Sequence, residues 1–245
     1  MSKAEKIFSH PKSLRTVTTH YCPGCGHGIA HRLVAEAVDE LGIREKVIGI
    51  APIGCAVVAY DYWDFDCSEA AHGRALAVAT AIKRVHPENI VFTYQGDGDL
   101  AAIGTAETIH AANRGENLTV IFINNAVYGM TGGQMAPTTL RGQKTATTPY
   151  GRLEKDHGYP LKISEILAIL PSVKYVERVS LDSPQEIIKA KKAVVRAFQN
   201  QIEGVGFSLV EMLSACPTYW GKTPKQAISW IKDVMAKEFP LGRIK

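Results

Sequence analysis

Five short apolar runs rich in Val, Ile and Phe punctuate the chain, at Lys46–Ala51, Ile90–Gln95, Leu118–Ile123, Val173–Val179 and Phe207–Leu213. Near-continuous hydrophobicity over strand-length runs, rather than strict alternation, predicts strands covered on both faces. Between the runs the apolar spacing changes to the helical period, over about His27–Leu41, Ala71–His86, Leu100–Asn113, Ile163–Leu170 and Pro184–Gln201. In the first of these, Ile29, Leu33, Val34, Ala37 and Leu41 fall on one face. The last opens on Ser183-Pro184-Gln185-Glu186, the form of a capping box. Strands alternating with amphipathic helices predict an α/β fold, a doubly wound and mostly parallel sheet. One more helix is expected from Thr223 to Ala236, within a helical tail over 220–245. Asn124 to Pro160 shows neither period and is rich in Gly, Thr and Pro; a loop that long inside a compact domain is more often functional than idle.

Composition narrows the class without naming a function. The 245 residues are 46% hydrophobic, 21% charged and 8% aromatic, which excludes a disordered, collagen-like or coiled-coil polymer and suits a single domain over 1–245. No apolar run approaches the roughly 18–20 residues of a spanning helix, so no membrane segment is expected. Met1–Arg15 carries Lys3, Lys6, Lys12 and Arg15 with no apolar core behind them, unlike a secretory signal, and a cytoplasmic protein is expected. The net charge of +4 is spread without a basic block and makes no argument for nucleic acid.

The five cysteines are Cys22, Cys25, Cys55, Cys67 and Cys216. The two-residue spacer of Cys22-Pro23-Gly24-Cys25 lets both sulfurs face one concavity, with Gly24 permitting the sharp turn. A thioredoxin-like pair, a structural zinc site and an iron–sulfur cluster all remain open for it. The first lacks a convincing strand before the motif, and the second lacks another closely spaced ligand pair. A cluster tolerates scattered further ligands; Cys55 and Cys216 each follow an apolar run, and Pro217 comes directly after Cys216. Cys67 is expected to be a buried small hydrophobe.

Gly96-Asp97-Gly98-Asp99-Leu100-Ala101, between a strand and a helix, matches the letters of a dinucleotide fingerprint. Such a site expects an acidic residue at the end of the next strand, where this chain has Asn124-Asn125, and Asp97 and Asp99 would repel a bare pyrophosphate. A divalent cation between carboxylate and phosphate removes that repulsion. Mg²⁺ takes one or two carboxylates plus phosphate oxygens. Asn125, 28 residues after Asp97, lies where a strand–helix–strand unit returns beside its start, and its amide oxygen and the carbonyl of Val127 supply further ligands. A metal-bridged diphosphate at the carboxyl end of a parallel sheet follows. A calcium loop does not, since Ala101 stands where another oxygen is needed.

Gly-Asp-Gly with a distant Asn-Asn resembles the thiamine diphosphate motif of transketolase-like and decarboxylase enzymes. Joined to Cys22-Pro23-Gly24-Cys25-Gly26-His27, Ile53-Gly54-Cys55, His72-Gly73-Arg74 and Tyr128–Gln134, it resembles the beta subunit of 2-oxoacid:ferredoxin oxidoreductases, over about Thr19 to Tyr219. The subgroup it is most similar to is the 2-oxoisovalerate, or branched-chain, type. The resemblance implies a thiamine diphosphate-binding fold with a cluster-binding segment at 15–27, a 4Fe–4S cluster on Cys22, Cys25, Cys55 and Cys216, and Mg²⁺ on Asp97, Asn125 and the Val127 carbonyl. It implies that the cofactor is lined by Ile53, Gly54, Cys55, Ala56, His72, Gly96, Asp97, Gly98, Asp99, Asn125, Val127, Gly129, Met130 and Thr131. His72 then lies near the diphosphate, with His72 and Thr131 as candidate assisting residues, and Gly129–Gln134 covers the thiazolium. Family members often have Ser after the Ile-Gly-Cys cysteine, where this chain has Ala56.

The implied reaction is oxidation of a 2-oxoacid with coenzyme A and ferredoxin to acyl-CoA, carbon dioxide and reduced ferredoxin. It implies an alpha subunit supplying a glutamate to the aminopyrimidine, a gamma subunit, a ferredoxin-like delta subunit, and ferredoxin as acceptor. Ile53, Ala56, Val57, Val58 and Met130, with Tyr60 or Trp63, are expected to form an apolar substrate wall. No Lys or Arg stands between Cys55 and His72 to receive a distal carboxylate. The alternatives are 2-oxoglutarate or pyruvate as substrate, a non-redox thiamine diphosphate decarboxylase or synthase, and a zinc-bound assembly subunit.

Overall fold

The computed structural model describes residues 9–245; Met1–Phe8, with Lys3 and Lys6 of the expected non-secretory start, lie outside the described residues. The apolar runs form parallel strands β1 (Val47–Ala51), β3 (Ile90–Gly96), β4 (Thr119–Asn124), β5 (Val173–Ser180) and β6 (Phe207–Leu213). Two strands were not predicted. β2 (Asp66–Glu69) is a polar, half-exposed strand beside β1, and β7 (Gly242–Arg243) pairs antiparallel with β5, so the 220–245 tail is not helical throughout. The order is β2-β1-β3-β4-β6-β5-β7, parallel except at β7.

Alternate strand residues face opposite layers, which is why the runs carry no polar stripe. Phe92, Tyr94, Ile121, Ile123, Val210 and Met212 pack with α1 (His27–Leu41) and α6 (Pro184–Ile202). Val91, Val120, Phe122 and Leu209 pack with α2 (Ala75–Val85), α3 (Thr105–Asn113) and α5 (Ile163–Ala168). Cys67, expected to be a buried small hydrophobe, is only half-buried against the first of these layers because it lies on the edge strand β2. At α6 half of the capping box forms: the Ser183 hydroxyl accepts from the Glu186 amide, while the Glu186 carboxylate pairs with Lys189.

Two helix starts differ from the periodicity in ways that shape the site. α2 begins at Ala75 rather than Ala71, because Gly73 has φ +76° and turns the chain, leaving His72 on a loop. The helix expected from Leu100 starts as a π-helical turn, Asp99–Ile103, before α3. Such turns often mark functional positions.

The 124–160 loop holds one short helix, α4 (Glu154–His157), and is otherwise irregular but ordered by polar contacts. The Arg152 guanidinium, 5% exposed, donates to the carbonyls of Pro137, Thr139, His157, Gly158 and Tyr159 at 2.6–3.1 Å. One five-donor fork therefore satisfies carbonyls that no ladder pairs. The base of the loop, at Ala126 and Leu140, is covered by a third apolar cluster containing Ala227 of α8 (Pro224–Trp230), Ile231, Met235 and Phe239.

Arg152→Ala leaves the Thr139 carbonyl, on a buried residue, and the partly buried carbonyls of the 157–159 turn without this donor, while that of Pro137 keeps the Leu161 amide, and is expected to destabilise the protein by about 1–3 kcal/mol in urea unfolding. Arg152→Lys recovers only part of this, because an ammonium has three donors at one point. Unchanged unfolding midpoints would count against a structural role for this fork.

Candidate active site at the carboxyl end of the sheet

The chain leaves β1 toward β2 on one side and β3 toward β4 on the other, so a crevice opens at the carboxyl ends of these adjacent strands, where such sheets bind ligands. It is walled by Pro52–Ala56 after β1, Gly96–Asp99 after β3 and Asn125 with Val127–Thr131 after β4, with His27 and His72 closing it. All residues of the expected cofactor lining meet in this crevice. Val57, Val58, Tyr60 and Trp63 do not line it, and Trp63 is a fully buried core residue against His31 and Tyr94; the expected apolar wall reduces to Ile53, Ala56 and Met130.

Asp97 is 3% exposed. One carboxylate oxygen accepts from the Gly98 amide at 2.9 Å and the other from the Thr138 hydroxyl at 2.6 Å, while the Ala126 and Val127 amides also face the group. No Lys or Arg lines the crevice. Burial therefore dominates and pushes the Asp97 carboxyl up to about 6 despite these donors. A buried carboxylate with only neutral donors fits a site that completes itself with a cation. Asn125, 8% exposed, stands on the same wall; its side-chain oxygen accepts from the Val127 amide at 3.2 Å, and its carbonyl accepts from the Trp220 indole at 3.0 Å. Gly98 admits no side chain, since a Cβ would lie 1.9 Å from the Tyr128 ring. At Gly54 and Gly96 a Cβ would meet no atom within 4 Å, so here glycine leaves room in the crevice, as a bulky phosphorylated cofactor requires.

Asp99 differs from Asp97 in having its oxygens taken. Oδ1 contacts His72 Nδ1 at 2.7 Å and accepts from the Gly73 amide at 2.9 Å; Oδ2 accepts from Gln95 Nε2 at 2.6 Å. Against a carboxylate Nδ1 is the donor of the pair, and Nε2 takes no part in this contact. Gly104 packs onto Gly73, where a Cβ would fall 2.7 Å from the Gly73 carbonyl oxygen, and this holds the His72 loop on the π-helical turn. Thr131 donates to the Gln134 side chain at 2.5 Å and sits at the crevice mouth.

The four cysteines singled out by spacing converge beside this crevice. A Cβ on Gly129 would lie 3.1 Å from Cys55 Sγ, 3.7 Å from Cys216 Sγ and 3.9 Å from Asn125 Nδ2. The Cys22–Cys25 turn is pressed onto the Cys216 segment: a Cβ on Gly26 would strike the Ser214 hydroxyl, and one on Gly24 (φ +79°) would strike Pro224. Burial raises the Cys25 thiol to about 11 and the Cys216 thiol to about 12; burial also raises Cys55, and the neighbouring thiols add to each. Among the described residues no three His, Cys, Asp or Glu side chains are close enough to share one ion, whereas zinc draws each sulfur to about 2.3 Å. Periodicity gave no hint of Thr138, Tyr128 or Trp220; each acts through a single hydrogen bond or ring contact from irregular or one-turn structure.

This fold and crevice define a thiamine diphosphate-binding domain, and residues 53–212 match the family model for the thiamine pyrophosphate enzyme, C-terminal TPP binding domain. The chain is 51% identical, over 98% of its length and 53% of theirs, to ketoisovalerate oxidoreductase subunit VorA of Methanothermobacter thermautotrophicus. It is 41% identical to 2-oxoglutarate synthase subunit KorB of Archaeoglobus fulgidus, covering 90% of this chain and 79% of that one. A solved 2-oxoglutarate:ferredoxin oxidoreductase from Magnetococcus marinus, with 2-oxoglutarate, coenzyme A and succinyl-CoA bound, superposes with a TM-score of 0.75 at 31% identity, over 87% of this chain and 70% of that one. The chain belongs to the family of 2-oxoacid:ferredoxin oxidoreductase subunits, and spans about half the length of the VorA relatives it matches.

The raised Asp97 carboxyl makes a signed prediction. The folded chain binds this proton more tightly than the unfolded chain, whose carboxyl titrates at its ordinary value near 4. The associated stability is therefore present at low pH and is lost as pH rises from about 4 through about 6, amounting to about 3 kcal/mol. In chelator, Asp97→Asn is expected to melt above the native protein at pH 8, with the advantage vanishing near pH 4. A difference between the two melting curves that does not vary with pH would contradict the assignment.

Proposed function

We propose that this chain is the subunit of a 2-oxoacid:ferredoxin oxidoreductase that carries thiamine diphosphate, Mg²⁺ and a 4Fe–4S cluster. The assembled complex oxidises a branched-chain 2-oxoacid such as 2-oxoisovalerate with coenzyme A and ferredoxin, giving acyl-CoA, carbon dioxide and reduced ferredoxin. The observation that carries this reading is the meeting of Cys55, Cys216 and Asn125 around Gly129, with Asp97 on the same wall. In it Asp97, Asn125 and the Val127 carbonyl hold Mg²⁺, and Cys22, Cys25, Cys55 and Cys216 hold the cluster. Thiols drawn from three separate segments, the Cys22–Cys25 turn, the loop after β1 and the residues after β6, are the scattered ligand set that a cluster tolerates.

Thiamine diphosphate, when bound, supplies the electron sink for loss of carbon dioxide, and an adjacent cluster accepts the electrons one at a time. The chain's residues do the positioning. The Gly98 amide and Thr138 hydroxyl fix the Asp97 carboxylate, leaving its remaining lone pairs for the metal. Asp99, itself held by Gln95, orients His72 through Nδ1 and leaves Nε2 for a hydrogen bond near the diphosphate. Gly54 and Gly96 keep the cradle open, and Ile53, Ala56 and Met130 exclude water from the reacting end. The aminopyrimidine-side glutamate must come from outside these 245 residues, in keeping with an alpha subunit; gamma and ferredoxin-like delta subunits complete the assembly. No helix among the described residues is long and apolar enough to cross a membrane, and we assign the complex to the cytoplasm.

The relatives include subunits named for 2-oxoglutarate, so substrate choice needs its own argument. The crevice lining offers no Lys or Arg, and a distal carboxylate buried there without a cation would be strongly disfavoured. The anaerobically purified complex is therefore expected to turn over 2-oxoisovalerate with kcat/KM at least about tenfold above that for 2-oxoglutarate, a difference of about 1.4 kcal/mol. Iron, sulfide and thiamine diphosphate are expected in the same preparation, with thiamine diphosphate released by chelator. A preference for 2-oxoglutarate would overturn the substrate assignment, and iron-free protein with full decarboxylase activity would favour the non-redox class.

A further inference from the structure

Two buried charges lie side by side on the adjacent strands β5 and β6, and the proposed chemistry uses neither. Glu211, in the middle of β6, and Arg178, on β5, are each 1% exposed and stand opposite one another in register. Glu211 Oε2 accepts from Arg178 Nε at 2.8 Å and from the Ser164 hydroxyl at 2.5 Å. Arg178 spends its other donors on both oxygens of Glu165, at 2.7 and 2.9 Å, and on the Pro240 carbonyl at 3.1 Å. A buried pair of this kind is not a reliable source of stability. What distinguishes this one is the remaining carboxylate oxygen: Glu211 Oε1 accepts from Asn124 Nδ2 at 2.7 Å.

That bond fixes more than one side chain. A carboxylate held by a guanidinium and a hydroxyl can only accept, so the Asn124 amide must present its NH₂ to Glu211 and its oxygen the other way. The oxygen accepts from the Ala126 amide at 3.2 Å. Ala126 is the non-glycine residue with positive φ among the described residues, at +58°, and it lies between Asn125 and Val127. Left-handed backbone at a residue with a Cβ persists only where its surroundings enforce it. Here they do, through Asn124 on one side and through the Thr139 hydroxyl and Gln143 amide, which donate to the Ala126 carbonyl at 2.8 and 3.1 Å, on the other.

We infer that Glu211 is a positioning residue for the Asn125–Val127 turn, acting through the side chain of Asn124, with Arg178 and Ser164 locking its carboxylate. The inference rests on the proposed Mg²⁺–thiamine diphosphate site and adds residues that the site's own lining does not contain. Loss of the Glu211–Asn124 bond leaves Ala126 free to relax toward right-handed backbone, carrying the Asn125 oxygen and the Val127 carbonyl off the Asp97 wall. The consequence falls on metal-dependent binding, not on the cysteines.

The test is thiamine diphosphate binding by the assembled complex, followed by calorimetry over a series of Mg²⁺ concentrations, with turnover not required. Asn124→Ala and Glu211→Met each remove the bond, the latter at similar volume and with Arg178 still paired to Glu165. Each is expected to raise the Mg²⁺ concentration for half-saturation about tenfold, the effect of losing one charge-assisted hydrogen bond. The double variant should shift no further than Asn124→Ala alone, since Glu211 acts only through the Asn124 side chain. Glu211→Gln keeps an acceptor for Asn124 and should recover part of the shift. Glu165→Gln is the structural control: it weakens the outer half of the Arg178 fork and lowers the melting temperature, leaving the Mg²⁺ dependence within twofold. Iron content should match the native complex throughout. Native-like Mg²⁺ dependence in Asn124→Ala, or additive shifts in the double variant, would overturn the positioning role. Failure of the native complex to bind thiamine diphosphate in any Mg²⁺ concentration would instead overturn the reading beneath it.

Discussion

Most of the architecture at the carboxyl end of the sheet answers to one electrostatic fact: the Asp97 carboxylate is taken out of water and given only neutral donors. A folded chain gains nothing from such an arrangement by itself, since desolvating an anion costs more than two hydrogen bonds return. The surrounding structure is built to tolerate that cost. β3 ends at Gly96 so that the carboxylate emerges at the floor of the crevice, and Gly98 has no side chain because the Tyr128 ring lies against it. Thr138 reaches Asp97 from a loop 41 residues further along, held in shape by the Arg152 fork on its carbonyls. A loop without regular structure can deliver a hydroxyl to a fixed point only when its own backbone groups are satisfied. Arg152 does so from inside the loop.

The same region shows why the cysteine-bearing segments are rich in glycine. Gly24 and Gly26 lie where the Cys22–Cys25 turn meets Pro224 and Ser214, and Gly129 lies where Cys55, Cys216 and Asn125 meet. At each point a Cβ would strike a neighbour or come into tight contact, so side-chain-free positions set how closely the segments approach. The one-turn helix α7 (Pro217–Trp220) extends the contact: it begins just after Cys216, and its last residue donates an indole N–H to the Asn125 carbonyl. Tyr219 on the same turn packs on Gly133 in the loop following Asn125. Thiol and carboxylate chemistry thus share a wall, and a displacement of the Cys216 segment cannot leave the Asn125 turn untouched.

How much of this was legible in the sequence follows from the range of the interactions involved. The five long strands could be read because they are buried along most of their length, and the presence of Asp97 and Asn125 in one crevice because a strand–helix–strand return has a nearly fixed length. β2 could not be read: Asp66-Cys67-Ser68-Glu69 lies at the sheet edge, half-exposed, and owes its conformation to β1 alone. His72 was legible as a residue of the crevice, but the turn that frees it from α2 comes from Gly73 packing on Gly104, a contact across 31 residues. Trp63 looked like part of a substrate wall because it is close to Cys55 in sequence, yet it is buried among His31, Phe92 and Tyr94, where its area and its indole N–H to the His31 carbonyl are both satisfied. Glu211 did leave a trace, a charge in the middle of an apolar run, whereas Arg178 does not stand out beside Lys174 and Glu177 of its own strand. Only the pairing of β5 with β6 tells which partner each one has.

Ala56 shows how such departures from a family pattern can be weighed. Relative to a serine, alanine removes one hydroxyl beside the crevice, and the importance of that loss depends on what the hydroxyl would have touched. Ala56 is 2% exposed and packs in the apolar layer with α1, while its backbone carbonyl accepts from the Ala59 amide at 3.0 Å. A methyl at this position brings no polar atom that would need a partner, and the turn carrying Cys55 keeps its backbone hydrogen bonds, including Val57 to Gly54 at 3.0 Å. The geometry of the cysteine is therefore set by the backbone and by Gly129, both independent of residue 56. The exchange leaves residue 56 apolar where it lines the crevice, in the same sense as Ile53 and Met130, so under the proposed function it bears on substrate choice rather than on assembly of the site.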